Sequence, residues 1–150
     1  MLSELFEIRL LGAGDEEVLG RVDEDVFDYA VDIDRAREFI SDARHHIAVA
    51  IDDGVVVGFA SGVHYVHPDK PTPEMWVNEV GVASTHRRRG IGKALMDCLL
   101  DAGRKLGCNE AWVLTDRDNA PAMRLYATID GAQPPTDQVM INFYLDGSES

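Results

Sequence analysis

Apolar residues recur along this chain in two periods, and blocks of each period alternate. Alternating or continuous apolar runs predict strands at Phe6–Leu11, His46–Ile51, Val55–Val66, Met75–Ala83, Glu110–Thr115 and Val139–Leu145. Helical spacing predicts helices over Asp15–Ala30, where Val18, Leu19, Val22, Val26 and Ala30 form a stripe, and over Asp34–Asp42, where Ala36, Phe39, Ile40 and Ala43 do. The clearest helix runs from Gly90 to Leu106. Ile91, Ala94, Leu95, Cys98, Leu99 and Ala102 share one face, and Gly107 is a stop. A further helix is predicted over Asn119–Ile129, with Pro121 near its start.

Between these blocks lie turn signals. Asp52-Asp53-Gly54 joins two strand patterns as a hairpin, and Pro68, Pro71 and Pro73 make a loop of His67–Glu74. The predicted order begins with hairpin-linked strands and ends with a strand–helix–strand crossover. That order gives an α/β (α+β) domain, a mixed and mostly antiparallel sheet of about six or seven strands flanked by about four helices. No repeat or linker interrupts it, so residues 1–150 are expected to form one domain.

Charge changes this picture. The formal net charge is −13, which argues against nucleic-acid binding. Nine acids lie between Gly12 and Asp34 against one base, Arg21, and residues 129–150 carry four acids with no Lys or Arg. Such a field serves solubility, or gathers a cationic small molecule. No apolar run is long enough for a membrane helix, and the acidic N-terminus is unlike a secretory signal, so a cytoplasmic protein is expected. Cys98 and Cys108 match no redox or zinc spacing. His45, His46, His64, His67 and His86 lack ligand spacing, so no metal is expected.

One basic cluster stands out in this acidic chain. Arg87-Arg88-Arg89-Gly90-Ile91-Gly92-Lys93 lies between a predicted strand and the best helix. Strand, glycine turn and helix N-terminus together present free backbone N–H groups and a positive dipole end to an anion. It is not a Walker A loop, because Ala94 follows Lys93 and Arg87 stands at the first glycine position. Leu95 stands where a dinucleotide fingerprint needs a small residue. A solvated basic turn is the plainer alternative.

Arg87-x-x-Gly90-x-Gly92 and, downstream, Asn119-x-x-Ala122-x-x-Leu125-Tyr126 together resemble the two patterns of the GNAT superfamily of acetyl-CoA-dependent N-acetyltransferases. The resemblance implies the GNAT fold, splayed between the strands ending near Ala83 and starting near Glu110. It places acetyl-CoA in that opening. Backbone at Val80 and around Val82 to Ser84 would pair with the pantetheine arm, Arg87, Arg88, Arg89, Gly90, Ile91, Gly92 and Lys93 would hold the pyrophosphate, and Asn119, Ala122 and Tyr126 would complete the cofactor site. Tyr126 is implied as the acid for the leaving thiolate; the alternative is a packed aromatic on an amphipathic helix. Glu79, in the otherwise apolar run Met75–Val82, is implied as the base, directly or through water; the alternative is a structural carboxylate. The N–H near Val82 is implied as an oxyanion donor.

Within the superfamily the chain is most similar to aminoglycoside 3-N-acetyltransferases. The shared features are Glu79-Val80-Gly81-Val82 running to His86-Arg87-Arg88, Asn119 to Tyr126, Asp25-Val26-Phe27-Asp28, and the tail Val139–Phe143. The chain departs from the family at Asp130-Gly131, where glycine comes five residues after Tyr126 instead of four. This likeness implies a small cationic amine as acceptor and a homodimer through the C-terminal strands. Independently, carboxylates are the natural partners of a polycation, and Asp28, Asp32, Glu79, Asp116, Asp118 and Asp137 lie near the expected cleft; the alternative for each one alone is a solvated surface acid. Acetylation of a protein N-terminus, a lysine or a polyamine are rivals with the same chemistry; a non-catalytic acyl-CoA sensor is a rival of another class.

Overall fold

The computed structural model describes residues 6–133 and 137–148. Its sheet has five strands in sequential order: β1 (Glu7–Leu10), β2 (His45–Asp52), β3 (Val55–Tyr65), β4 (Glu74–Val82) and β5 (Ala111–Val113). β1 to β4 pair antiparallel and β5 joins β4 in parallel. The β2–β3 hairpin closes through Asp53 and Gly54, both at positive φ (53° and 76°), as a two-residue turn that follows the strand twist requires.

Three α-helices accompany the sheet: α1 (Ile33–Ser41), α2 (Ile91–Lys105) and α3 (Ala120–Thr128). α2 covers one face. A Cβ on Gly58 would lie 3.1 Å from Leu95 Cδ1, and one on Gly62 would lie 3.6 Å from Leu99 Cδ2, so these strand glycines let the helix approach. Ile91, Leu95, Met96 and Leu99 thereby join Ala48, Ala60, Met75 and Val77 in one core. The other face carries Val49, Phe59 and Gly81 and is covered by the segment before α1. A Cβ on Gly81 would meet the Val26 carbonyl at 2.6 Å, and Phe27 stacks on Phe59 at 4.0 Å.

The helix expected over residues 15–30 does not form. A 3₁₀ turn spans Glu16–Gly20, and the chain then bridges to β3: Val56 N–H donates to the Arg21 carbonyl and Asp23 N–H to the Val56 carbonyl. Four Asp, several Val and Gly20 make this stretch a poor helix, and the bridge satisfies its backbone instead.

The strand expected over Val139–Leu145 is likewise absent among the described residues. Val139, Met140, Ile141, Phe143 and Leu145 are exposed, with no neighbouring strand to take their backbone groups. Among the described residues the sheet therefore has five strands, not six or seven, and three α-helices with two 3₁₀ turns stand in place of four helices. Among the described residues no helix is long and apolar enough to cross a membrane.

Candidate functional site

The basic turn lies where β4 passes over into α2. A 3₁₀ turn, Ser84–His86, leads to Arg87, then to Arg88 and Gly90 at φ 65° and 78°. Two left-handed residues reverse the chain so that α2 begins with its amides outward. No side chain caps that end, and its first turn holds no acid. The orphan N–H groups and the positive dipole end are thus left for an external anion.

The two glycines serve different needs. Gly90 is surrounded by open space, and its φ is what calls for glycine. A Cβ on Gly92 would lie 3.4 Å from Leu125 Cδ2, so Gly92 also seats α3 on α2. Ile91 is buried and can offer only its backbone.

The cations differ too. Arg87 Nε donates to the Val82 carbonyl at 3.3 Å, and Arg88 is exposed. Arg89 lies 3.9 Å from Asp52 and over the Phe6 ring, and Lys93 pairs with Asp97 at 2.9 Å. Two acids missed in the sequence shape this turn. Asp52 accepts from His86 Nε2 at 2.7 Å, and that tautomer leaves Nδ1 to accept from the Thr85 hydroxyl at 2.8 Å. Asp25 accepts from the Ser84 N–H at 3.0 Å, and its hydrogen bonds with Ser84 hold its carboxyl below the usual carboxylate value. In the sequence Asp52 stood only as a turn residue, and Asp25 only as one acid of many and part of the Asp25–Asp28 likeness, with no role at this turn.

The strand before the turn has an open edge. β5 pairs with β4 only at Met75, Trp76 and Val77. From Asn78 to Val82, which includes Val80 and Val82, the outer edge of β4 has no strand beside it among the described residues. This is a splay between β4 and β5. At its fork β4 carries a bulge: Ser61 pairs with Glu79 but Gly62 pairs with Val77, leaving Asn78 unopposed. The bulge turns Glu79 to the face away from α2, where it is exposed.

Glu79 there joins a pocket of about 390 Å³ under the segment before α1. Asp28 and Asp32 line it as well, over a floor that includes Phe27, Phe39, Phe59 and Ser61. Three of the six expected substrate acids therefore share one pocket. Asp32 also caps α1, accepting from Asp34 N–H at 2.9 Å. Ser61 is the one buried polar side chain among the described residues, and its only signal along the chain is a serine in an apolar strand. Asp116 and Asp137 line a different, larger cleft beside β5 and α3, and Asp118 lines neither.

Tyr126 lies in that larger cleft, half-buried on α3, and burial pushes its phenol up. Asn119 caps α3, its Oδ1 accepting from Ala122 N–H at 3.2 Å, which gives the Asn-x-x-Ala pair a structural reason. The helix ends in a Schellman motif. Gly131 N–H donates to the Tyr126 carbonyl at 2.8 Å, and Asp130 N–H to Ala127 at 3.2 Å. Asp130, at φ 66°, takes the left-handed place where the family has its glycine. Gly131 stays glycine because a Cβ would lie 2.7 Å from the Tyr126 carbonyl oxygen.

The model of the Acetyltransferase (GNAT) family matches residues 14–130. A streptothricin acetyltransferase from Streptomyces lavendulae is 33% identical over 86 residues, 57% of this chain. The match spans 43% of that relative, so the chain covers less than half its length. Among solved structures, an aminoglycoside acetyltransferase from an uncultured soil metagenomic sample superposes with a TM-score of 0.76 at 18% identity, covering 96% of this chain and 97% of that one. A ribosomal-protein-alanine N-acetyltransferase from Brucella melitensis biovar Abortus 2308 superposes with a TM-score of 0.67 at 25% identity, covering 92% and 99%.

Proposed function

The chain belongs to the acetyltransferase (GNAT) family, and from that footing we propose that it moves an acetyl group from acetyl-CoA to a primary amine of a small polycation. The acceptor group is the 3-amino group of an aminoglycoside. One observation carries the reading. The unpaired edge of β4 leads directly into an uncapped helix N-terminus, and on the other face of the same strand Glu79 shares a pocket with Asp28 and Asp32. A long anion fits the first feature and a cation the second, so the strand separates donor from acceptor.

The residues present fit the cofactor. The Arg88–Gly90 turn and the free amides of α2 suit a pyrophosphate, with Arg87, Arg88, Arg89 and Lys93 around it. The edge at Val80 and Val82 offers strand-like hydrogen bonds to an extended arm. When bound, acetyl-CoA supplies a thioester carbonyl open to attack by an amine. Glu79 takes the proton from the incoming ammonium, directly or through one water, so that the nitrogen has a lone pair. The N–H near Val82 steadies the negative charge that develops on oxygen. Tyr126 holds a proton for the departing sulfur; a phenol is protonated at neutral pH, and burial pushes its pKa further up. Asp28 and Asp32 orient further ammonium groups of the acceptor.

The similarity to the streptothricin and aminoglycoside enzymes supports the small-polycation acceptor. The 25% identity with the ribosomal-protein-alanine enzyme supports a second reading, a peptide N-terminus. A thiol-release assay with aminoglycosides, polyamines and N-terminal peptides separates them, and product NMR gives the acetylated position. We expect aminoglycosides to release CoA fastest. Release with peptides alone would favour the second reading, and release with no amine would end both.

A further inference from the structure

Beyond Glu79, the same face of the sheet turns aromatic, and the register fixes this. Ser61 pairs with Glu79 and Val63 with Trp76. Directly opposed residues share a face, so the bulge at Asn78 puts Trp76 and Glu79 on one side. β5 then sets Trp112 beside Trp76. Their rings stack with centroids 5.2 Å apart and planes 7° from parallel. Trp112 Nε1 donates to the Tyr65 hydroxyl at 2.7 Å. The donor of that indole is thus used within the protein. Trp76 stays 39% exposed, a large apolar group in the open on a face that elsewhere carries the acceptor pocket.

Charge narrows what could lie there. Glu74, at the far end on the same face, is already within 3.3 Å of Lys70 Nζ and 2.8 Å of His67 Nε2. Glu79 carries no ion pair among the described residues. A rigid indole face next to an unneutralised carboxylate favours a cation with a flat side. Trp gives the strongest cation–π attraction of the aromatic side chains. An anion would meet Glu79, and an uncharged chain would gain only area.

We infer that the Trp76–Trp112 stack is a second subsite of the acceptor site, taking a further protonated amino-sugar ring of the acceptor against its exposed face. The inference rests on the acceptor reading above and extends it, because it requires a substrate longer than one ring.

The chain has two tryptophans, both in this stack, so tryptophan emission reports on this place alone. Sisomicin, a multi-ring aminoglycoside, and 2-deoxystreptamine, a single ring, are titrated into the whole chain, and thiol release is measured with each. Sisomicin should change the emission, saturating near its KM, and the single ring should change it far less. Trp76→Leu should raise KM for sisomicin roughly three- to thirtyfold more than for 2-deoxystreptamine, the span of a cation–π contact, and Trp76→Phe should recover part of that. If Trp76→Leu fails to fold by circular dichroism, the titration of the unsubstituted chain decides.

Acetylation of sisomicin with unchanged emission overturns the subsite and leaves the acceptor reading standing. Neither acetylation nor an emission change removes both. An emission change that follows protein concentration rather than amine assigns the stack to a second copy, which also overturns the subsite.

Discussion

Tyr126 serves the fold and, in the proposed function, the reaction, through different atoms. Its carbonyl anchors the end of α3, accepting from Gly131, while its half-buried hydroxyl is the proposed acid. Tyr126→Phe keeps the first role and removes the second. We expect kcat to fall about a hundredfold, the lower range for a lost general acid, with the Kd for acetyl-CoA unchanged by calorimetry. A lost Kd with normal kcat would make the ring a packing group only. Four residues on, Asp130 tests the reading of the shifted glycine. It holds φ 66° in a Schellman motif that usually takes Gly. Left-handed backbone strains an ordinary side chain, although Asp tolerates it better than most. Asp130→Gly should therefore stabilise the chain by about 0.5 kcal/mol, less than the full strain because glycine gains entropy when unfolded. The urea midpoint checks this, and a lower midpoint would show that the Asp130 side chain stabilises the loop.

Elements were legible where local pattern and tertiary need agree. α2 is apolar on one face, ends at Gly107 in its own Schellman motif, and packs as its spacing predicts. The hairpin at Asp53-Gly54 and the proline loop were equally plain. Residues 15–30 were not, because their apolar spacing fits a helix while their backbone bonds to β3, a non-local partner that periodicity cannot show. Val139–Leu145 has a strand's composition, but a strand also needs a neighbour. In the candidate site the basic turn was legible as a motif, whereas the face that Glu79 takes depends on the bulge at Asn78, and the division of the other acids between two clefts depends on how distant segments pack. Gly92 shows the difference between motif and structure. Gly92→Trp should abolish acetyl-CoA binding, and, because Leu125 lies against this position, it should also lower the thermal midpoint. Gly90→Ala meets open space and should cost only roughly 1 kcal/mol of backbone strain, seen as a lower midpoint with binding weakened but present. Undiminished affinity in Gly92→Trp would remove the turn from the cofactor site.

At the scale of the whole molecule the charge is arranged against itself, a net −13 with the proposed anion site built from a local basic cluster. Distance decides which charge a ligand meets. At 0.1 M ionic strength the Debye length is about 10 Å, so an approaching cofactor senses mainly Arg87 and Arg88; at 0.01 M it is about 30 Å, and the acidic remainder reaches it too. Lowering salt thus strengthens the local attraction for acetyl-CoA and the long-range repulsion together, and the two offset. A polycationic acceptor has no such conflict, because both its pocket acids and the net charge attract it. The KM for an aminoglycoside should therefore rise steeply between 0.02 and 0.3 M NaCl, on the order of tenfold for several screened charges, while the KM for acetyl-CoA changes much less. Steady-state kinetics with one substrate saturating measures each slope. Equal slopes would mean that the acidic surface has no part in gathering the acceptor and serves solubility alone. A steep slope for a polycation beside a shallow one for a monoamine would tie the surface charge to the acceptor pocket.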